Sequence, residues 1–257
     1  MENNFYNIFD SHAHYDDKWF DEDREVLLFS MKENGVCGIV NNSVDLKTAK
    51  VCIDFCEKYD FMYGAVGFHP ENLEDMPNDY LDRIAELLKH KKIVAVGETG
   101  LDYHWDIPKG LQNRVFEEQI KLSLDVNMPI IVHDREAHGD TLNYLRKYKP
   151  KALVHCFSGS VEMMREVMRY GSYISLGGVV TFKNARHSVE VAKEVPIDRL
   201  LLETDCPYMS PVPFRGKRCD STMIKYTAEK IAEIRNTDVQ ELLNITAENA
   251  KRFYGID

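Results

Sequence analysis

The stretch Ile93-Val94-Ala95-Val96-Gly97-Glu98 runs four apolar residues toward a carboxylate. The same pattern recurs along the chain: Ile130-Ile131-Val132 ends in His133, Ala152-Leu153-Val154 in His155, and Leu200-Leu201-Leu202 leads to Asp205. Near the start, Asn7-Ile8-Phe9 precedes His12 and His14. Runs this short, each closing on a side chain that can bind metal, predict buried parallel strands aiming those side chains at a common rim.

Working outward, strand-like runs near 7–11, 37–42, 61–67, 93–98, 129–133, 151–155, 173–176 and 200–204 alternate with amphipathic helical patterns. The helical patterns lie near 22–34, 45–58, 78–90, 110–126, 135–147, 160–170, 185–194 and 220–235, with Asp79 and Ser160 as helix starts. Eight β-then-α units predict an α/β fold of the closed (β/α)8 TIM-barrel type and not an open doubly wound sheet. A dinucleotide-binding Gly-x-Gly-x-x-Gly turn is missing, which agrees. Asp238 to Tyr254 reads as an extra C-terminal helical segment. With no linker or low-complexity tract, residues 1–257 read as one domain.

The bulk composition narrows the function classes. A hydrophobic content of 44% supplies a sizeable core and excludes a disordered chain. The net charge of −10 argues against broad electrostatic capture of nucleic acid, although divalent ions in a site change the local field without changing that count. None of the six cysteines forms a C-x-x-C pair. The start Met-Glu-Asn-Asn-Phe-Tyr has no basic region followed by an apolar stretch, and no window reaches a membrane span. These features predict a soluble, reduced, cytoplasmic protein with no membrane association and no evident obligate protein partner.

Active sites of such barrels sit at the C-terminal ends of the strands, where all six candidate ligands fall. In extended chain, residues two apart face the same side, so His12 and His14 can share a cavity. Four histidines and two carboxylates suit borderline divalent metals. The set predicts a binuclear centre with ions about 3.5–4 Å apart. His12, His14, Glu98 and Asp205 would hold one ion and Glu98, His133 and His155 the other, Glu98 being the carboxylate on a middle strand suited to bridging. Such a centre activates water near neutral pH, and Asp205 could accept its proton, making Glu98 and Asp205 the catalytic pair. Zinc suits four imidazoles better than magnesium or manganese, which stay possible.

Two further features have two readings each. His69, in Gly67-Phe68-His69-Pro70, reads as a substrate contact or as a loop histidine against Pro70. The loop Pro213-Phe214-Arg215-Gly216-Lys217-Arg218 reads as a phosphate grip or as a solvated charged loop. Cys156 and Cys206 read as packed thiols.

These residues resemble the TatD family of metal-dependent deoxyribonucleases, within the amidohydrolase superfamily. The matching segments are Asp10-Ser11-His12-Ala13-His14, Gly67-Phe68-His69-Pro70, Gly97-Glu98-Thr99-Gly100-Leu101-Asp102-Tyr103 and Pro129 to Ala137. His155-Cys156-Phe157-Ser158-Gly159-Ser160, Glu203-Thr204-Asp205-Cys206-Pro207-Tyr208, Arg215-Gly216-Lys217 and Asn249-Ala250-x-Arg252-x-Phe253 continue the series across nearly the whole chain. The resemblance implies a TIM barrel, two divalent ions on the six ligands, and hydrolysis of DNA phosphodiesters, in some members from the 3′ end. It implies substrate-side roles for His69 and Arg215, and groups Glu203 with them as a partner behind the ligands.

Where the family usually continues Asn-x-Pro after the basic loop, this chain reads Cys219-Asp220-Ser221, losing the stiffening of proline. Asp134 follows His133 where the family often has Ser or Thr. The expected activity is cleavage of DNA at single strands or ends. D-aminoacyl-tRNA deacylation and small-molecule amide hydrolysis are the alternatives, and a non-enzymatic scaffold is disfavoured by the intact ligand set.

Overall fold

The computed structural model describes residues 5–256. Residues 1–4 and 257, on which the readings of the chain's start and of the full 1–257 domain partly rest, lie outside the described residues. Eight parallel strands follow one another in ring order: β1 (Ile8–Ala13), β2 (Val36–Asn42), β3 (Met62–Val66), β4 (Ile93–Asp102), β5 (Ile130–Arg135), β6 (Ala152–Val154), β7 (Tyr173–Leu176) and β8 (Leu200–Leu202). Helices α1 (Arg24–Ser30), α2 (Leu46–Lys58), α3 (Tyr80–Leu87), α4 (Lys109–Asp125), α5 (His138–Tyr148), α6 (Val161–Arg169), α7 (Arg186–Glu194) and α8 (Ile224–Arg235) alternate with them. A last helix, α9 (Val239–Tyr254), follows. The ring closes at its C-terminal rim through a parallel bridge between Ala13 and Cys206, where the His14 amide donates to the Cys206 carbonyl at 2.9 Å. This is a (β/α)8 barrel.

Alternation along each strand sorts the core into two layers. On β5, Ile130 and Val132 pack outward against the helices, while Ile131 joins Phe9, Val40, Ala65, Ala95, Leu153, Tyr173 and Leu201 in an inner cluster. Each strand thus contributes to the barrel interior. Ala247, Ala250, Phe253 and Tyr254 of α9 complete that cluster, so α9 plugs the N-terminal mouth. The predicted C-terminal segment is therefore part of the inner core.

Local chemistry explains most boundaries and two departures. Asp45 caps α2 in a reciprocal box with Thr48, Ser160 accepts from the Met163 amide at α6, and Asp238 accepts from the Glu241 amide at α9. Asp79 precedes α3 without capping it and instead pairs with Arg83 at 2.9 Å. Helix α5 starts later than expected because β5 continues through Arg135 and Glu136 then takes a positive φ of 56°. Strand β4 likewise runs on to Asp102, which places Glu98 within the strand and not at its end.

Asn249 shows how α9 is locked in. Its Nδ2 donates to the carbonyls of Ile197 at 2.6 Å and Leu200 at 2.9 Å, at the entrance to β8. Asn249→Ala would leave both acceptors in a dry site, costing about 1–3 kcal/mol. The expected thermal shift is about 2–4 °C per kcal/mol, read by calorimetry. An unchanged melting temperature would show that α9 docks through its apolar face alone.

Candidate metal centre

Strict alternation would turn three of the six candidate ligands away from the barrel axis. Phe9 and Ala95 belong to the inner cluster, so His12 and Glu98, three residues on, and His14, five residues on from Phe9, should face outward. The strand pairing slips between Asp10 and Ala13 on β1 and between Val96 and Thr99 on β4. Irregularities of this kind re-aim side chains, and here they turn His12, His14 and Glu98 inward. Gly100 allows the neighbouring strands to stay close: a Cβ there would meet the His133 carbonyl oxygen at 2.0 Å.

The six side chains meet around Glu98, whose side chain is 3% exposed. Its Oε2 lies 3.2 Å from His12 Nε2 and 3.3 Å from His14 Nε2. Its Oε1 lies 2.8 Å from His155 Nε2 and 3.0 Å from His133 Nδ1. Asp205 Oδ1 completes the first group, 3.5 Å from His14 Nε2 and 3.8 Å from His12 Nε2. One carboxylate thus presents a different oxygen to each of two imidazole pairs.

The outer partners fix which ring nitrogens carry protons. His14 Nδ1 faces the Asn42 carbonyl at 3.0 Å, which can only accept, so Nε2 turns a lone pair inward. His133 Nε2 faces Asp102 Oδ2 at 2.9 Å, which in the neutral ring leaves Nδ1 as the inward lone pair. His133 Nδ1 and His155 Nε2 approach to 3.2 Å, and His12 Nε2 and His14 Nε2 to 3.1 Å. Acceptors that face one another in a buried site are satisfied by a cation or a shared proton between them. Tetrahedral bonds of about 2.0–2.1 Å give ligand edges of about 3.3–3.4 Å, close to the spacings here. The donor set therefore fits divalent metal, in agreement with clusters His12–His14–Glu98, His12–His155–Asp205 and His69–Glu98–His133 among the described residues.

Proton affinities follow the same layout. Burial favours the neutral form of Glu98, but the imidazoles of His155, His12 and His69 outweigh it and hold the acid well below its usual range. Burial alone would lower His133, yet its bonds to Asp102 and Glu98 raise it to about 8. Burial dominates at His69, pushing it below the ordinary histidine value.

The remaining predicted site residues separate. His69 stands at the edge of the cluster, its Nε2 3.5 Å from Glu98 Oε1. Its Nδ1 accepts from the Glu71 amide at 3.2 Å, so the neutral ring carries its proton on Nε2, facing the site. Glu203 is fully buried and has no substrate-facing surface, which corrects its grouping with the substrate side. Its Oε1 accepts from the Cys156 amide at 2.6 Å, its Oε2 accepts from the Ser175 hydroxyl, and it backs His155 Nδ1 at 3.7 Å. Arg215 is outside the cluster, exposed, with its guanidinium 4.0 Å from the centroid of the Phe182 ring.

The basic loop is only partly available. Arg218 is committed to Asp23 by two hydrogen bonds of 2.7 and 2.6 Å and to the Trp19 carbonyl at 2.8 Å. In place of proline stiffening, Ser221 donates to Asp10 at 2.7 Å, and its amide donates to the Tyr15 hydroxyl at 2.9 Å.

Sequence reasoning passed over Asp102 and Asp10. Asp102 lies two alternations beyond Glu98 on β4, so the period of two was the available signal. Asp10 is fully buried and accepts from the Thr204 amide at 3.0 Å and the Thr204 hydroxyl at 2.6 Å, tying β1 to the segment that carries Asp205. Burial pushes its carboxyl up to about 7.

A family model described as TatD related DNase matches residues 9–255. The chain belongs to the TatD family. The metal-dependent hydrolase YabD of Bacillus subtilis is 46% identical over 254 residues, covering 97% of this chain and 100% of YabD. The crystal structure of YjjV, a TatD homologue from Escherichia coli K12, matches with a TM-score of 0.92 at 28% identity, over 98% of this chain and 99% of YjjV. The human 3′-5′ RNA nuclease TATDN2 is 30% identical over 230 residues, 85% of this chain and 30% of that longer protein. As a TatD-family member, the chain is a metal-dependent hydrolase. Among the described residues no helix is long and apolar enough to cross a membrane.

Proposed function

We propose that this TatD-family hydrolase cleaves DNA phosphodiester bonds, removing nucleotides from the 3′ end of single strands with two divalent ions, zinc by preference. The observation that carries the reading is the division of the Glu98 oxygens between the His12–His14 and His133–His155 pairs. His12, His14, Glu98 and Asp205 would hold one ion and Glu98, His133 and His155 the other. Bound there, the ions supply Lewis acidity that lowers the pKa of water and offsets phosphate charge.

The rest of the work falls to the chain's own side chains. Asp205, at the mouth, accepts the proton of the attacking water. His69 donates its Nε2 proton toward a phosphate oxygen. Arg215 and Lys217, both exposed, offer charge to the flanking backbone, while Arg218 is held by Asp23. Glu203 and Asp102 orient His155 and His133 from behind.

The test is hydrolysis of a 5′-labelled single-stranded DNA oligonucleotide with added zinc, magnesium or manganese, beside an RNA strand of the same sequence. A metal-dependent ladder shortening from the 3′ end supports the proposal. Cleavage of RNA alone would move the activity to that shown in the name of the human relative. No cleavage of either strand by metal-loaded protein would reject the phosphodiesterase reading.

A positioning role for Asp102 has its own test. Asp102→Asn keeps the shape but loses the charge facing His133, and metal affinity is expected to fall about 10–100-fold. Competition with a chelating dye measures it. Unchanged affinity would assign Asp102 to strand structure only.

A further inference from the structure

The chain has two tryptophans, Trp19 and Trp105, and each is 49% exposed. Both lie on connections that leave the C-terminal ends of strands: Trp19 between β1 and α1, Trp105 between β4 and α4. In the ring order, β4 and β5 stand opposite the β8–β1 junction. The two indoles therefore flank the mouth of the barrel from opposite sides.

Each indole belongs to a small built platform that adjoins one half of the metal centre. Trp19 pairs with Tyr208 at a centroid separation of 6.0 Å, and Tyr208 is itself 47% exposed. The Tyr208 amide donates to the Asp205 carbonyl at 3.0 Å, and its hydroxyl donates to Asp17 at 2.8 Å. Arg218 fixes the Trp19 carbonyl at 2.8 Å. On the other side, the Arg135 guanidinium lies 5.8 Å from the Trp105 ring centroid, and the His104 ring packs edge-on at 5.1 Å. Arg135 Nη1 is 4.0 Å from Asp102, the partner of His133.

We propose that these platforms stack the bases on either side of the scissile phosphate, so that the ligand is a run of unpaired nucleotides crossing the barrel mouth. The inference rests on the nucleic-acid reading of the metal centre given above. Aromatic faces bind any unpaired base because every base has a π-face, whereas a duplex keeps its bases inside. Stacking also explains how a chain of net charge −10 can hold a polyanion without a basic stripe.

With two indoles, each single replacement leaves one reporter. Trp19→Phe and Trp105→Phe proteins, zinc-loaded, are titrated with a phosphorothioate oligothymidylate of eight nucleotides, an abasic strand of the same length and a blunt hairpin. The expected result is fluorescence quenching of both indoles by the thymidylate and of neither by the abasic strand or hairpin. Trp105→Ala should weaken thymidylate binding about tenfold and leave abasic binding unchanged. Equal response to the abasic strand, or response of one indole only, overturns the two-sided platform. Cleavage of an unmodified strand without quenching removes the platforms and keeps the nuclease reading. Quenching without cleavage removes the nuclease reading and keeps the platforms as a binding site.

Discussion

Glu98→Gln is expected to leave the barrel folded while lowering strand cleavage by about a thousandfold or more and reducing bound metal. The size follows from what the carboxylate does for both halves of the site. Its Oε1 serves His133 and His155 at 3.0 and 2.8 Å, and its Oε2 serves His12 and His14 at 3.2 and 3.3 Å. Glutamine matches the shape but replaces one oxygen with an amide that donates, and it carries no charge. Metal assistance is worth several kcal/mol of transition-state stabilisation, and each 1.36 kcal/mol is about tenfold in rate. Metal content by mass spectrometry, read with the cleavage rate, distinguishes the causes. Two equivalents of metal with wild-type turnover would end the bridging role. Loss of metal without loss of activity would place the chemistry elsewhere in the barrel mouth.

The barrel was legible because its signal is repeated: an error at one strand leaves seven others to set the order. On β5 and β8 the structure turns Ile131 and Leu201 inward, and His133, two residues on from Ile131, keeps that parity into the interior. His12, His14 and Glu98 do not. Their inward aim depends on pairing slips that arise between strands and leave no mark in either strand's own pattern. The six side chains that gather around Glu98 could therefore be named from sequence where the geometry that gathers them could not.

Loop residues were harder for a related reason. Arg215 and Arg218 are three positions apart in one basic loop, and sequence treats them alike. Folding separates them, because Asp23, nearly two hundred residues away in sequence, captures Arg218 while Arg215 rests on Phe182. Glu203 posed the opposite problem: its acidic neighbour Asp205 faces the site, but Glu203 is consumed by Ser175 and the Cys156 amide. Non-local partners decide such cases.

Asp205 is the residue for which ligand and base roles must be pulled apart. It sits just past β8 with a φ of 57°, and its amide donates to the His12 carbonyl at 3.0 Å. Asparagine accepts that backbone conformation, so Asp205→Asn should fold normally. The carboxylate makes the longest approaches in the cluster, 3.5 and 3.8 Å, and its side chain is 17% exposed against 3% for Glu98. It is therefore more open to solvent than Glu98. Burial favours its neutral form, but the bond to His14 and the charges of His12 and His155 hold it below the usual carboxylate range, which keeps it ionised and able to accept a proton. General-base catalysis contributes about 10²–10⁴-fold, and Asp205→Asn is expected to lose that factor in kcat with most of the metal retained. Added zinc separates the roles: a residue acting only as ligand is rescued by saturating metal, whereas a lost base is not. Full restoration of kcat at high zinc would reduce Asp205 to a ligand and leave the proton to another acceptor at the barrel mouth.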